Sequence, residues 1–216
     1  MYNPVIFDLD GTLLNTIGDL ADACNYALEK HGFPTYPEER YKTFVGNGIP
    51  KLIERILPEG YTPEEYNAVY ADFSEYYAAH KTDRTVPYAG IPELLAELKS
   101  LGITAVCNTN KAHGYSVELL SGFFGDELAE VSGDSGKFPR KPAPDAALYF
   151  AEKYKCEGAR PLYVGDSSVD MQTAQNAGID ACGVLWGFRT REELASYSPK
   201  FLAENATQLR EYIING

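Results

Sequence analysis

Several short polar runs in this chain combine carboxylate, hydroxyl and ammonium groups, and they stand directly after or before apolar segments. They comprise Asp8 and Asp10 after the first apolar segment, Thr109, Asn110 and Lys111 after a second, Lys141 ahead of a helical pattern, and Asp166 and Asp170 after a third apolar segment. Buried carboxylates at this density repel one another unless a cation joins them, and all-oxygen ligands favour a hard ion such as Mg2+. A lysine and a threonine in the same place suit the oxygens of a phosphate. Together these groups predict phosphoryl transfer with a carboxylate nucleophile, a metal and a proton donor.

The elements that must position these groups alternate between strand and helix after about residue 85. The pattern predicts strands over 4–9, 103–107, 161–164 and 180–185, and helices over 92–100, 113–123, 144–154 and 168–177. Strands separated by helices of this length indicate an α/β fold, a Rossmann-like parallel sheet with helices on both faces. Ligands in such sheets bind at the carboxyl ends of the strands. We therefore expect the polar runs to meet at one edge of the sheet.

Between the first strand and this alternating region, the sequence is helical in character. Thr16, with Asp19 three residues later, is expected to cap a first helix that ends near Gly32. The run from Thr62 to Glu65 predicts a helix start, because it joins a capping threonine, a proline at the first helical position and a glutamate at the third. The aromatic stripe along the helix that follows is expected to pack in a core rather than to hold a ligand.

These patterns divide the chain into two predicted domains. Residues 1–14 and 85–216 are expected to form the α/β core domain, and residues 15–84 are expected to form a helical cap domain inserted after the first strand. A chain of 216 residues is long enough for one ordinary domain that carries such an insertion.

Composition narrows the partners and the location. The formal net charge is -12, which disfavours nucleic acid and anionic membranes and obliges any phosphate site to supply its own positive charge. The four cysteines have no metal-ligand spacing, and no segment has the features of a signal peptide or the apolar length of a membrane span. We expect a soluble cytoplasmic protein, a monomer or homodimer, that acts on a small phosphorylated metabolite.

The polar runs also resemble the four motifs of the haloacid dehalogenase superfamily, in the phosphatase branch. The match begins with the run from Asp8 to Leu13, continues with Thr109 and Lys141, and ends with Asp166 and Asp170, over nearly the whole chain. The resemblance implies an aspartyl-phosphate intermediate at Asp8. Asp10 would be the acid that protonates the leaving oxygen and then the base that activates water.

The resemblance also implies the ligands of the metal and of the phosphoryl group. Mg2+ would be held by Asp8, the backbone carbonyl of Asp10 and Asp166, with Asp170 acting on a water at the metal or binding it directly. Thr109 and Lys141 would grip the transferring phosphoryl group, helped by backbone amides near Leu9 and Asn110.

A narrower resemblance is to the phosphoglycolate phosphatases. It is carried by the run from Phe44 to Gly48, by the run from Thr109 to Lys111, and by the run from Val184 to Gly187. It makes Gly46 and Asn47 candidate substrate contacts. Lys111 is a candidate to bind a substrate carboxylate, although it could instead cap a loop or point to solvent. Arg189 and Arg191 could reach the site, but residues at a solvated helix start are the simpler interpretation.

Other functions stay open at this stage. Within the superfamily they are a β-phosphoglucomutase-like enzyme, a nucleotidase or a pyrophosphatase. The segment Asn47-Gly48-Ile49-Pro50 lacks the arginine that mutase relatives typically place after this glycine. Outside enzymes, the chain could be a catalytically silent relative or a receiver-like protein regulated by a phospho-aspartate. Receivers are usually shorter, however, and lack the helical insertion.

Overall fold

A computed structural model describes residues 1–216 and places six parallel strands in one sheet, in the order β5-β4-β1-β6-β7-β8. These strands are β1 Tyr2–Phe7, β4 Ala105–Ala112, β5 Glu130–Asp134, β6 Arg160–Gly165, β7 Asp180–Val184 and β8 Phe201–Ala203, and a separate pair consists of β2 Leu14–Asn15 and β3 Val86–Pro87. The central strand β1 is buried along its whole length, as a parallel strand covered on both faces should be. The predicted α/β fold is confirmed.

Helices cover both faces of the sheet and also form the insertion after its first strand. The insertion contains α1 Ile17–Lys30, α2 Glu38–Phe44, α3 Ile49–Ile56 and α4 Pro63–His80; the sheet is covered by α5 Ile91–Ser100, α6 His113–Phe124, α7 Asp145–Lys153, α8 Ser168–Ala177, α9 Arg191–Ala195 and α10 Ala206–Asn215. Side chains of β1 alternate between the two faces: Phe7 packs with α5, α6 and α10, whereas Ile6 packs with α7, α8 and α9. None of the ten helices combines the length and the apolar character needed to cross a membrane.

The inserted helices have a hydrophobic core of their own. All sixteen fully buried members of this cluster lie between Ile17 and Tyr77, apart from both clusters of the sheet. Val69, Phe73 and Tyr77 of α4 are buried in it, which confirms that the aromatic stripe packs in a core. Helix α4 begins with the predicted capping box, in which Thr62 and Glu65 exchange side-chain and backbone hydrogen bonds. The division into two domains at residues 15 and 84 stays a prediction, which this separate core supports.

The chain passes into and out of the inserted helices through two adjacent strands. Strand β2 pairs antiparallel with β3, and the Asp19 carboxylate accepts hydrogen bonds from the backbone N–H groups of Arg84 and Thr85 and from the Thr85 hydroxyl. The prediction that Thr16 caps α1 is wrong, because its hydroxyl makes no capping bond and donates to Asp10 Oδ1 at 2.7 Å. The Thr16 hydroxyl therefore makes a tertiary contact and not the capping bond that the local sequence predicted.

Candidate active site

The predicted polar residues meet at the carboxyl edge of the sheet, where the inserted helices cover it. Asp8 follows β1, the residues from Thr109 to Lys111 lie near the end of β4, and Asp166 follows β6. The cleft above them encloses about 570 Å3, including its opening to solvent. Its walls are formed by Asp8, Asp10, Thr109, Asn110, Lys111, Lys141, Asp166, Ser167, Phe188 and Arg189 from the sheet side and by Leu20, Val45, Gly46, Gly48, Ile49 and Leu52 from the inserted helices.

Three buried carboxylates lie together at the floor of the cleft, and two of them contact one ammonium group. Ligand atoms of Asp8, Asp166 and Asp170 all lie within 4.8 Å of one another. The Lys141 ammonium lies 2.8 Å from Asp8 Oδ1 and donates a hydrogen bond to Asp170 Oδ1 at 2.7 Å. Burial would lower the pKa of Lys141, but the two carboxylates outweigh it and raise that pKa well above its usual value. Lys141 is therefore a permanent cation.

One ammonium does not neutralise three carboxylates, and the excess negative charge raises the pKa of two of them. Burial and the Asp170 charge raise the pKa of Asp8 to about 7, against the opposing pull of Lys141. Burial and the charges of Asp170 and Asp8 likewise raise the pKa of Asp166 well above its usual range. Asp8 Oδ1 is buried, and its close polar contact is the Lys141 ammonium at 2.8 Å. An excess of buried negative oxygen atoms fits a divalent cation with oxygen ligands, which supports the expected Mg2+.

The surroundings of Asp166 fix its carboxylate on both oxygens. Oδ1 accepts a hydrogen bond from the Thr12 hydroxyl at 3.2 Å, and Oδ2 accepts one from the backbone N–H of Phe188 at 2.7 Å. Gly11 lies against this carboxylate with a φ of +85°, and a Cβ there would come within 2.3 Å of Asp166 Oδ2. The glycine of the first motif is thus required by both its backbone conformation and the close approach of Asp166.

Asp170 is committed to neighbours on both of its oxygens. Oδ2 accepts from the Ser167 backbone N–H and hydroxyl, which forms a capping box at the start of α8, and Oδ1 accepts from Lys141. Its side chain is fully buried. Asp170 thus holds the Lys141 ammonium beside Asp8 in addition to contributing negative charge to the cluster.

Asp10 lines the cleft outside the carboxylate cluster and is held by two donors. Its Oδ1 accepts from the Thr16 hydroxyl at 2.7 Å and from Lys111 Nζ at 2.9 Å. The Lys111 side chain is only 3% exposed, and its ammonium lies 5.0 Å from the ring centre of Tyr77 on α4. The alternative that Lys111 points to solvent is therefore wrong. Lys111 joins a carboxylate of the first motif to an aromatic ring of the inserted helices.

Thr109 and Asn110 lie between Lys141 and the inserted helices. Thr109 lines the cleft, and its hydroxyl accepts a hydrogen bond from the Lys111 backbone N–H at 3.2 Å. The Asn110 amide accepts from the Lys141 backbone N–H at 2.8 Å and donates to the carbonyls of Lys141 and Gly46 at 3.1 and 3.0 Å. Asn110 thus fixes the main chain of Lys141 and also holds the turn at Gly46.

The two candidate substrate contacts in that turn differ in position. Gly46 lines the cleft, whereas the Asn47 side chain accepts a hydrogen bond from Arg55 at 2.6 Å and does not line it. Their roles toward substrate stay predictions.

Sequence reasoning missed two hydroxyl groups that the structure brings to the site, and its simpler interpretation of Arg189 as a solvated residue is wrong. The Thr12 and Thr16 hydroxyls hold Asp166 and Asp10, and the guanidinium of Arg189 reaches the turn of the inserted helices. The position of Thr12 directly after Asp8-Leu9-Asp10-Gly11 was the available signal. Nothing in the sequence marks the partners of Arg189, because they are backbone carbonyls.

Comparison with known proteins agrees with this geometry. The family model of the haloacid dehalogenase-like hydrolases matches residues 5–184. A phosphoglycolate phosphatase of Vibrio parahaemolyticus is 34% identical over 97% of this chain and 95% of its own length. A crystal structure from Lactobacillus delbrueckii subsp. bulgaricus has a TM-score of 0.90 at 31% identity and covers 98% of both chains. That of a predicted phosphoglycolate phosphatase from Haemophilus somnus has a TM-score of 0.89 at 27% identity and covers 98% of this chain and 97% of its own.

The matched residues contain the whole carboxylate cluster, both lysines and the inserted helices, and the structural likeness extends over nearly the full chain. The chain therefore belongs to the haloacid dehalogenase-like hydrolase family.

Proposed function

We propose that this hydrolase removes phosphate from a small phosphomonoester, with 2-phosphoglycolate as the preferred substrate, and that Asp8 is the nucleophile. The observation that carries the proposal is the cluster of Asp8, Asp166 and Asp170 at the floor of a cleft, with the Lys141 ammonium paired to Asp8 and Asp170. The Asp8 carboxylate lines this cleft, which supports its role as a nucleophile that meets the substrate. We also propose that the enzyme acts in the cytoplasm.

In the first step, an oxygen of Asp8 attacks the phosphorus of the ester in line with the leaving oxygen. The bond between phosphorus and the leaving oxygen breaks, and Asp10 transfers its proton to that oxygen. Lys141 and the Thr109 hydroxyl stabilise the charge on the three remaining phosphoryl oxygens. The products of this step are an alcohol and an aspartyl-phosphate at Asp8.

In the second step, water replaces the enzyme at phosphorus. Asp10, now ionised, takes a proton from a water molecule, whose oxygen attacks the aspartyl-phosphate. The bond between phosphorus and Asp8 breaks, which releases inorganic phosphate and restores the Asp8 carboxylate. In this step Asp10 is the base, the reverse of its role in the first step, and it ends the cycle protonated while Asp8 is again a carboxylate.

A Mg2+ ion held by Asp8, the backbone carbonyl of Asp10 and Asp166 would neutralise charge on the carboxylate and the phosphoryl oxygens, so that two negative groups can approach each other. Asp170 would hold Lys141 and complete the polar surroundings of the ion. Thr12 and the backbone N–H of Phe188 keep Asp166 oriented toward it.

The cleft suits a short substrate with a second negative charge. The wall from the inserted helices consists of apolar residues and glycines, so it offers no carboxylate that would repel an anion. Lys111 and Arg189 line the cleft from the sheet side, in a chain whose net charge is -12. We propose that Lys111 binds the substrate carboxylate, for which its ammonium must share or leave Asp10, and that Gly46 and Asn110 complete the contacts around it.

The test of substrate choice is a panel of small phosphate esters, followed by the variant Lys111→Met with Lys99→Met as the exposed control. Loss of a charge-assisted hydrogen bond should lower kcat/KM for 2-phosphoglycolate by about 10- to 100-fold. It should lower kcat/KM for p-nitrophenyl phosphate, which has no carboxylate, much less. Equal losses on both substrates would place Lys111 in the general machinery through Asp10, and no loss on either would remove it from the site.

A further inference from the structure

Arg189 is the one cation of the cleft whose hydrogen bonds go to the inserted helices. It lies in the segment between β7 and α9, on the sheet side, and its side chain is 16% exposed. Its guanidinium donates to the carbonyl of Lys42 and, at 2.9 Å, to the carbonyl of Val45. No side chain of the inserted helices takes part, so the contact depends on the main-chain path alone.

These carbonyls are available because they stand at the C-terminal end of α2. The last carbonyls of a helix have no partner within the helix and need donors from elsewhere. Arg55 of α3 donates to the Phe44 carbonyl at 2.6 Å, and Arg189 donates to the carbonyls of Lys42 and Val45. The turn of residues 45–48 begins here, and Gly46 and Gly48 of this turn line the cleft.

The base of Arg189 is itself anchored to the catalytic carboxylates. Trp186 Nε1 donates to the Thr12 carbonyl at 3.1 Å, and the backbone N–H of Phe188 donates to Asp166. A Cβ at Gly187 would come within 2.3 Å of Asp166 Cβ, so this segment lies directly on the metal-binding carboxylate. Residues 186–189 therefore form a short rigid path from Asp166 to the turn of residues 45–48.

The Arg189 charge acts both on the carboxylate cluster and on a second guanidinium group. Arg189 lies 3.6 Å from the Glu193 carboxylate, its charge opposes the rise in the pKa of Asp166, and it lies close enough to Arg55 to act on its ionisation. Burial, and then the Arg189 charge, lower the pKa of Arg55. Two guanidinium groups thus lie close together at the C-terminal end of α2, where each donates to different carbonyls, below a turn that lines the cleft.

We propose that Arg189 is a positioning residue that holds the turn of residues 45–48 over the cleft and thereby sets selectivity for small substrates. A short substrate reaches the wall of the cleft only when this turn is in place, whereas a bulky aryl phosphate fills more of the space itself. The selectivity part rests on the proposed phosphatase function, but the positioning part does not.

The first test measures hydrogen exchange by mass spectrometry in a peptide that covers residues 44–52. In Arg189→Met, the amides of this peptide should exchange about tenfold faster or more than in the wild type, because opening no longer breaks two charge-assisted hydrogen bonds. Arg191→Met is the matched control, since Arg191 is half exposed and pairs with Glu204 on the surface. Unchanged exchange in Arg189→Met, or equal acceleration in both variants, would overturn the proposal.

The second test uses kinetics to separate positioning from chemistry. Arg189→Met should raise KM for 2-phosphoglycolate about tenfold and change KM for p-nitrophenyl phosphate less than threefold. Equal effects on both substrates would refute the selectivity role. If Arg189→Met does not fold by circular dichroism, Arg189→Lys takes its place, because it keeps the charge but lacks the planar fork whose two nitrogens donate to the two carbonyls. A wild type inactive on 2-phosphoglycolate would refute the proposed substrate, and the exchange result would still decide the positioning role.

Discussion

Replacement of Asp8 by asparagine should abolish turnover and, in the absence of metal, should stabilise the fold. The reason lies in the surroundings of this carboxylate, which is 7% exposed and lies close to Asp166, Asp170 and the Lys141 ammonium. Asparagine has nearly the same volume and removes one of the three mutually repelling charges. The proposed nucleophile is thus also a source of electrostatic repulsion in the fold.

The magnitude follows from the pKa of Asp8, which burial raises from 3.8 to about 7. Each unit corresponds to about 1.4 kcal/mol, so ionised Asp8 destabilises the metal-free fold by about 4 kcal/mol at pH 8. In a chain of this size 1 kcal/mol corresponds to about 2–4 °C in Tm. The metal-free variant should therefore melt at least about 8 °C above the metal-free wild type at pH 8.

The sign of the pH dependence is part of the prediction. The folded state holds the Asp8 proton more tightly than the unfolded state, so stability of the metal-free wild type falls as the pH rises from about 4 to about 7. Above that window the contribution is constant. The Tm advantage of Asp8→Asn should be near zero at pH 4 and greatest above pH 7.

Thermal melts of chelator-treated protein at pH 4.5, 6 and 8 would measure this, with turnover of p-nitrophenyl phosphate in parallel. Asp126→Asn is a suitable control, because that side chain is 93% exposed. Added Mg2+ should raise the Tm of the wild type more than that of the variant, because Asp8 is one of its proposed ligands. A variant that melts below the wild type at pH 8 without metal would refute the electrostatic reasoning. Near-normal turnover by a folded variant would refute the role of Asp8 as the nucleophile.

Two further predictions concern the metal and Asn110. Activity should disappear in excess chelator and return with Mg2+ but not with Ca2+, because calcium takes six to eight oxygen ligands at longer distances and would spoil in-line attack; equal rates with both ions would contradict this. Asn110→Ala should lower kcat about tenfold on 2-phosphoglycolate and on p-nitrophenyl phosphate alike, since the main chain of Lys141 loses both of its hydrogen bonds to the amide; a change in KM alone would show that Asn110 acts only on the turn at Gly46.

The sequence predicted the parts of this molecule that depend on local pattern. The capping box at Thr62 and the helix over 168–177 agree with the structure, because the residues that decide them are neighbours in the chain. Strand β5 was not predicted. Its sequence, from Glu130 to Asp134, is mostly polar and half-buried, as suits the edge of a sheet.

Long-range contacts account for what the sequence could not reveal about the site. Residue types and motif order brought together Asp8, Thr109, Lys141 and Asp166, but they did not predict the pairing of Lys111 with Asp10, 101 positions away. Arg189 was still harder to predict, because a backbone carbonyl can belong to any residue. Side chains whose partners are main-chain atoms leave no complementary residue for sequence reasoning to find.

The pairing of β2 with β3 allows the inserted helices to be replaced as a unit. Both crossings between the sheet and the inserted helices lie side by side, about 5 Å apart as in any strand pair, so the ends of the insertion already meet. Closing so small a gap costs little chain entropy, and a replacement of different length or shape could join the same two strands. Asp8, Thr109, Lys141 and Asp166 all lie outside the inserted stretch. Such a chain can replace one wall of its cleft in a single exchange, while the residues that the sheet contributes to the site stay in place.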